Sequence, residues 1–330
     1  MAIIDKPSDY FNTKLYTGTG SELAITGVGF QSDMTWIKGR SGATEHVLTD
    51  SVRGVTKEIS SNDTGAEETV AQGLTAFGSD GFTVGTDGSY NTSSATYSSW
   101  NWKESATAGF DIVAYTGNGS SGNTVSHNLG AIPSMMIIKN LSGTTSWIVY
   151  HHKNTSAPAT DVLRLDTTAA TADDDSMWND TAPTSSVFTL GSTSSANGSG
   201  TNYIAYLFAE KQGYSKFGSY TGNGNADGTF VYTGFKPAFV MLKKTSGTGN
   251  WQMFDDKRVG YNPDNDVLRA NLSNTECTSC VKIDTLSNGF KLRNTDGDGN
   301  TSGGTYIYMS FASEPFTTST TNGSIPATAR

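Results

Sequence analysis

The sequence predicts an all-β protein made of three tandem β-sandwich repeats, of jelly-roll or concanavalin-like type. Three observations predict it. The pattern Tyr-Thr-Gly-x-Gly occurs at residues 16–20, 115–119 and 220–224, with starts 99 and 105 residues apart. Each copy is followed by an apolar run ending in lysine: Trp36-Ile37-Lys38, Ile137-Ile138-Lys139 and Met241-Leu242-Lys243. An aromatic segment then closes each unit, at residues 97–103, 203–210 and 306–314. Three landmarks in one order, three times, define an internal repeat of about 100 residues.

The units are bounded at residues 1–107, 108–213 and 214–330, the last carrying a C-terminal tail. In the first, residues 11–16 read as a strand and residues 30–38 as another, with Met34, Trp36 and Lys38 on one face by the period of two. Thr64 followed by Glu67 has the form of a capping box, and Val70, Leu74 and Phe77 recur at helical spacing, which predicts a short helix there. Residues 81–85 return to strand. In the second unit the strands are residues 112–115, 133–139, 147–150, 162–165, 187–190 and 203–208. The run Trp147-Ile148-Val149-Tyr150 is continuous enough to be buried on both faces. The third unit repeats the plan from residue 217 to 316, and its Thr- and Ser-rich tail, 317–330, carries no pattern and is expected to pack on a neighbour or trail free. The linkers, 104–109 and 210–216, are brief, so the three sandwiches are expected to pack together.

Composition supports this reading. The chain has 330 residues, 37 of them glycine, and is 11% aromatic but only 16% charged, unlike a disordered chain. The formal net charge is −9 with 22 Lys and Arg in all, which argues against a phosphate-gripping face and a nucleic-acid partner. Nothing approaches 18 consecutive apolar residues, so no membrane span is expected. Residues 1–10 hold Asp5, Lys6 and Asp9 without an apolar signal core, which predicts delivery without classical secretion, or release by lysis.

Candidate chemistry is sparse. The glycine-rich turn lacks the Lys-Ser/Thr of a phosphate loop and reads as a hairpin turn with glycines at positive φ. Cys277 and Cys280 form one Cys-Thr-Ser-Cys pair, reduced or locally bridged; a zinc site would need two more ligands, and the third unit has no His. Asp50/Arg53 and Asp255/Arg258 occupy equivalent places, where the second unit has His151-His152-Lys153. They read either as solvated local pairs or as ionic contacts between units or between subunits. Adjacent strand residues point to opposite faces, so His151 and His152 are not expected to share a metal. Asp296, Asp298 and Asn300 lie in an oxygen-rich stretch that is a candidate calcium loop, although position twelve lacks the Glu of an EF-hand. Trp147 and Trp251 each lie eight residues after the landmark lysine, with His46 at that place in the first unit. They are candidate glycan-stacking residues if exposed and core residues if not. No catalytic constellation and no cofactor is predicted beyond that calcium candidate.

The whole chain resembles a family of uncharacterised virion-associated proteins of marine tailed bacteriophages. The residues that carry the resemblance are 16–20, 29–33, 80–85, 181–188, 213–220 and 286–292. The resemblance implies a place on the virion, as an appendage, tail component or capsid decoration, and supplies no catalytic residues. The expected partners are other virion proteins, further copies of the chain and host surface glycans. The expected function is non-enzymatic: a structural virion protein contacting host glycans. The alternatives are a capsid decoration protein without host contact, or a glycan-acting enzyme, which would need paired carboxylates in a groove.

Overall fold

The computed structural model describes residues 4–315, and the protein is nearly all β. The expected tail at 317–330 lies outside the described residues.

Three large antiparallel sheets share one strand order. The first runs Phe11–Thr17, Thr96–Trp102, Met34–Gly39, His46–Asp50, Lys57–Ser60 and Glu68–Thr69. The second runs Phe110–Thr116, Asn202–Phe208, Met135–Asn140, Ile148–His151, Asp161–Arg164 and Ala172–Asp173. The third runs Ser215–Thr221, Thr305–Pro315, Phe235–Lys244, Gln252–Asp255 and Leu268–Arg269. In each, the opening strand pairs with the closing one, so Tyr16 faces Tyr97, Tyr115 faces Tyr203 and Tyr220 faces Tyr306. Each pair of rings is stacked, with centroids 4.9 to 5.1 Å apart.

A small sheet covers one face of each large one. The first is Leu23–Thr26, Gly81–Val84 and Leu74–Gly78; the second is Asn123–Ser126 with Val187–Leu190; the third is Phe230–Tyr232, Gly289–Leu292 and Ile283–Leu286. Between the sheets of the first pair lie Ile25, Ile37, Val47, Phe82 and Tyr97, and equivalent clusters fill the other two. This is sandwich packing, with the inward residues of two sheets interdigitating.

The opposite face of every large sheet is buried as well. Met34 and Trp36 of the first, Met135 and Ile137 of the second, and Phe239 and Met241 of the third belong to one continuous apolar cluster. Phe11, Trp102, Phe208, Phe217 and Phe311 also lie in it, and the ring of Phe311 contacts those of the other four. The strands between the two layers are consequently buried at every position, as in Met34–Gly39 and Met135–Asn140. Isolating one sheet pair would expose its share of that cluster, so the units are not self-sufficient as separate bodies.

Two local expectations are corrected. Residues 64–77 form no helix; Glu68–Thr69 and Leu74–Gly78 are strands. Pairing of Leu74, Ala76 and Phe77 with the strand Gly81–Val84 outweighs the chance helical spacing, and Gly73 interrupts that run. The Tyr-Thr-Gly-x-Gly stretch is not a hairpin, because the strands on either side of it belong to different sheets. It carries the chain across from the large sheet to the small one. Its first glycine is required by proximity: a Cβ on Gly18 would sit 2.2 Å from the Thr92 carbonyl oxygen. Its second takes φ of +73° at Gly20, a backbone region that favours glycine.

A buried asparagine holds each crossover. Short helical turns, Gly88–Asn91, Ser194–Asn197 and Gly297–Asn300, begin at capping residues Asp87, Thr193 and Asp296. Each ends in a fully buried Asn. The Oδ1 of Asn91, Asn197 and Asn300 accepts the backbone N–H of Thr19, Asn118 and Asn223 respectively. Their amide nitrogens donate to backbone carbonyls on both sides, as Asn197 does to Ser120 and Gly191. A side-chain amide with two donors and an acceptor is suited to replace ladder hydrogen bonds where the backbone leaves the sheet.

Candidate functional site

The residues singled out by the sequence converge on the seams between the three sheet pairs. Lys38, Lys139 and Lys243 are fully buried. The Nζ of Lys38 donates to the Ser273 carbonyl at 3.1 Å, that of Lys139 to Thr64 at 2.7 Å, and that of Lys243 to Thr168 at 3.0 Å. Each lysine also donates to its own following loop, at Gly39, Thr145 and Gly249. The first unit thus reaches into the third, the second into the first and the third into the second. Three backbone bonds between the same loops accompany them: Thr44 to Ser273, Thr145 to Thr64 and Gly249 to Thr168. Burial lowers each of the three lysine pKa values to about 8, against nearby carboxylates that raise it.

Trp147 and Trp251, the candidate glycan-stacking residues, are buried in the same seams and are corrected to core residues. The indole N–H of Trp147 donates to the carbonyls of Ser60 and Asp63, and that of Trp251 to the carbonyl of Arg164. Lys139 and Lys243 lie about 6 Å from the respective ring centroids. His46, at the same place in the first unit, accepts the indole N–H of Trp36 and stacks on Trp100. Neither tryptophan presents a face to solvent, so neither can stack on a sugar.

The acid–arginine pairs are buried rather than solvated. Arg53 Nε donates to Asp50 Oδ2 at 2.5 Å, and Tyr206 of the second sheet donates its hydroxyl to that same oxygen at 2.7 Å. Arg258 Nε donates to Asp255 Oδ2 at 2.6 Å, and Trp100 of the first sheet adds its indole N–H at 3.0 Å. Burial opposes ionisation of Asp255, but Arg258 and these hydrogen bonds hold its pKa below the ordinary carboxylate range. His151 occupies the corresponding place in the second sheet. Its Nε2 lies 3.2 Å from the Tyr308 carbonyl oxygen, and burial first, with His152 adding, lowers its pKa to about 3. His152 instead faces the Phe217 carbonyl, so the two imidazoles serve separate contacts.

The candidate calcium residues are engaged in holding a turn. Asp296 caps the helical turn through the Asp298 N–H. The carboxylate of Asp298 accepts from the side-chain amides of Asn250 and Gln252, and Asn300 locks the crossover as described above. In this structure the side-chain oxygens of Asp296, Asp298 and Asn300, the candidate calcium residues, accept from protein donors. Among the described residues, no group of three or more His, Cys, Asp or Glu side chains is placed to hold a metal ion. Cys277 and Cys280 are joined in a disulfide.

On the surface, two grooves occupy equivalent places along the seams. One, of about 340 Å³, lies beside Val52, Glu67, Tyr115 and Leu141; the other, of about 510 Å³, beside Lys153, Thr155, Thr221 and Thr245. A third groove, of about 440 Å³, runs between the linker residues Glu210, Lys211, Gln212 and Lys216 and the edge strand residue Tyr232. Tyr232 is 59% exposed, and Phe230, two residues earlier on that strand, is 45% exposed. In the sequence neither stands out, since each is an ordinary strand residue. Superposing the units would have found them, since the same outward positions hold Ala24 and Thr26 in the first unit and Thr124 and Ser126 in the second.

No helix among the described residues is long and apolar enough to cross a membrane. No curated protein matches the chain. A family model described as a domain of unknown function, DUF7483, matches residues 6–315, and the chain belongs to that family.

Proposed function

We propose that this protein is a non-enzymatic structural component of a bacteriophage virion, part of a tail or surface appendage, that contacts host glycans. The observation that carries the reading is the fusion of three sheet pairs over one apolar cluster, sealed by buried lysines that cross each seam. Such a body is stiff. It presents short loops and edge strands outward while its distinctive polar residues are turned inward to hold it together, as suits a building block that displays a surface. The sequence resemblance supplies the virion setting, and the acidic, weakly charged composition suits an assembled, soluble particle.

Immunogold electron microscopy of intact particles, with antibody raised against the purified protein, tests the placement. Label on the tail or its fibres supports the reading. Label spread evenly over the shell moves the protein to capsid decoration, and particles that carry no label remove it from the virion altogether. Turnover of bacterial polysaccharide by the purified protein would overturn its non-enzymatic character.

A further inference from the structure

We infer that Tyr232 and Phe230, with the groove beside them, form a binding site for the pyranose rings of an oligosaccharide; the inference rests on the glycan contact proposed above and locates it. The other two small sheets serve as an internal control. The strand Phe230–Tyr232 pairs with Gly289–Leu292 just as Leu23–Thr26 pairs with Gly81–Val84 and Asn123–Ser126 with Val187–Leu190. The inward residue is apolar in all three: Ile25 opposite Phe82, Val125 opposite Phe188 and Val231 opposite Phe290. The outward residues are small or hydroxylated in two sheets and aromatic only in the third. The fold therefore has no need of aromatic rings at these positions. Placing two of them in water forgoes burial that the rest of the molecule uses at almost every aromatic side chain, which points to a ligand that covers them.

The surroundings indicate which ligand. Phe230 and Tyr232 are separated by one residue on a strand, so both rings stand on the same outward face. Tyr232 is opposite Gly289, a position with no side chain to cover the ring. Next to Tyr232, the groove of about 440 Å³ offers the exposed Gln212 amide, which both donates and accepts, and the Lys216 ammonium paired with Glu210. A flat apolar platform edged by mixed donors and acceptors matches a pyranose ring, whose C–H face is apolar and whose rim is hydroxylated. The larger seam groove lacks such a platform. The tyrosines that reach it, Tyr220 and Tyr306, are 8% and 0% exposed.

The test uses the full chain on a printed array of oligosaccharides from bacterial lipopolysaccharides and capsules, followed by titration calorimetry on any hit. The variants carry the residues that the second sheet already tolerates, Phe230→Thr and Tyr232→Ser, alone and together, with Gln212→Ala as a probe of the groove. Melting temperatures near that of the wild type show that the fold is kept. Wild-type binding that weakens about tenfold in Tyr232→Ser, and further in the double variant, supports the site. Wild-type binding that survives the double variant unchanged overturns the site while leaving glycan contact standing. A blank array for the wild type overturns both.

Discussion

Two of the three seams contain a buried ion pair, and the third does without one. Where the first sheet meets the second, Asp50 takes hydrogen bonds from Arg53 and from Tyr206 across the seam. Where the third meets the first, Asp255 does the same with Arg258 and Trp100. Between the second and third sheets the acid is replaced by neutral His151, the arginine by Asn154, and the donor across the seam by Met309, which has no hydrogen to offer. The three positions change together. An acid appears where the neighbouring sheet supplies a donor, and an imidazole facing a backbone carbonyl appears where it does not. Buried charge is therefore compatible with this architecture but not demanded by it, as expected when desolvation nearly cancels the attraction of the pair.

The largest effect should come from breaking one ion pair from the acid side. Asp255→Ala leaves Arg258 buried with its guanidinium facing Trp100 and without its closest carboxylate, and it should lower unfolding stability by about 3–5 kcal/mol in urea titration. His151→Gln keeps most of the side-chain volume while altering a neutral hydrogen-bonding group, and should cost less, about 1–2 kcal/mol. Equal losses in the two variants would show that the ionic and neutral seams are alike energetically and that the comparison has no physical content.

A transplant sharpens the same point. His151→Asp with Asn154→Arg installs the ion pair in the neutral seam but sets the new carboxylate beside the Tyr308 carbonyl, with no donor across from it. That double variant should lose about 2–3 kcal/mol. Adding Met309→Tyr supplies the hydroxyl that Tyr206 provides to Asp50 and should recover at least about 1 kcal/mol. No recovery would mean that the donor and the acid are not coupled.

The repeated landmarks showed in the sequence that Lys38, Lys139 and Lys243 are equivalent, but not what they touch. Their partners, Ser273, Thr64 and Thr168, are loop carbonyls in another unit, and a backbone acceptor leaves no mark on residue identity. Asp50 and Arg53 are three residues apart, which reveals a local turn; whether water or Tyr206 covers it depends on a sheet about 150 residues away. The strands buried on both faces read as continuous apolar runs, as at Trp147-Ile148-Val149-Tyr150, so the existence of a second buried layer was legible there. That one cluster serves all three sheets was not, because period-two patterns distinguish faces without saying what each face meets. Tyr232 was hidden for the opposite reason. Judged alone it is a good strand residue, and only the Thr26 and Ser126 at its equivalent places mark it as surplus to the fold.

The smallest effect separates the same seams through the chain junctions. At the second junction Lys216 pairs with Glu210; at the first, the equivalent of Lys216 is Asp111, whose carboxyl hydrogen-bonds that of Glu104. Burial first, and Asp111 and Asp33 as well, raise the Glu104 pKa from 4.5 to about 7, while the Ile112 N–H opposes the shift. Between those two values the folded chain holds a proton on Glu104 that the unfolded chain releases. Stability from this group is thus fully present below about 4.5 and is lost as pH rises through about 7. Glu104→Gln keeps a hydrogen-bond donor toward Asp111 but cannot titrate. Its melting temperature, measured from pH 4.5 to 7.5, should therefore decline less than that of the wild type. The glutamate Glu58, also raised to about 7 by burial, contributes a slope of the same sign to both proteins and cancels in the difference. Identical slopes in wild type and Glu104→Gln would show that the first junction shares no proton and that the two junctions differ in sequence alone.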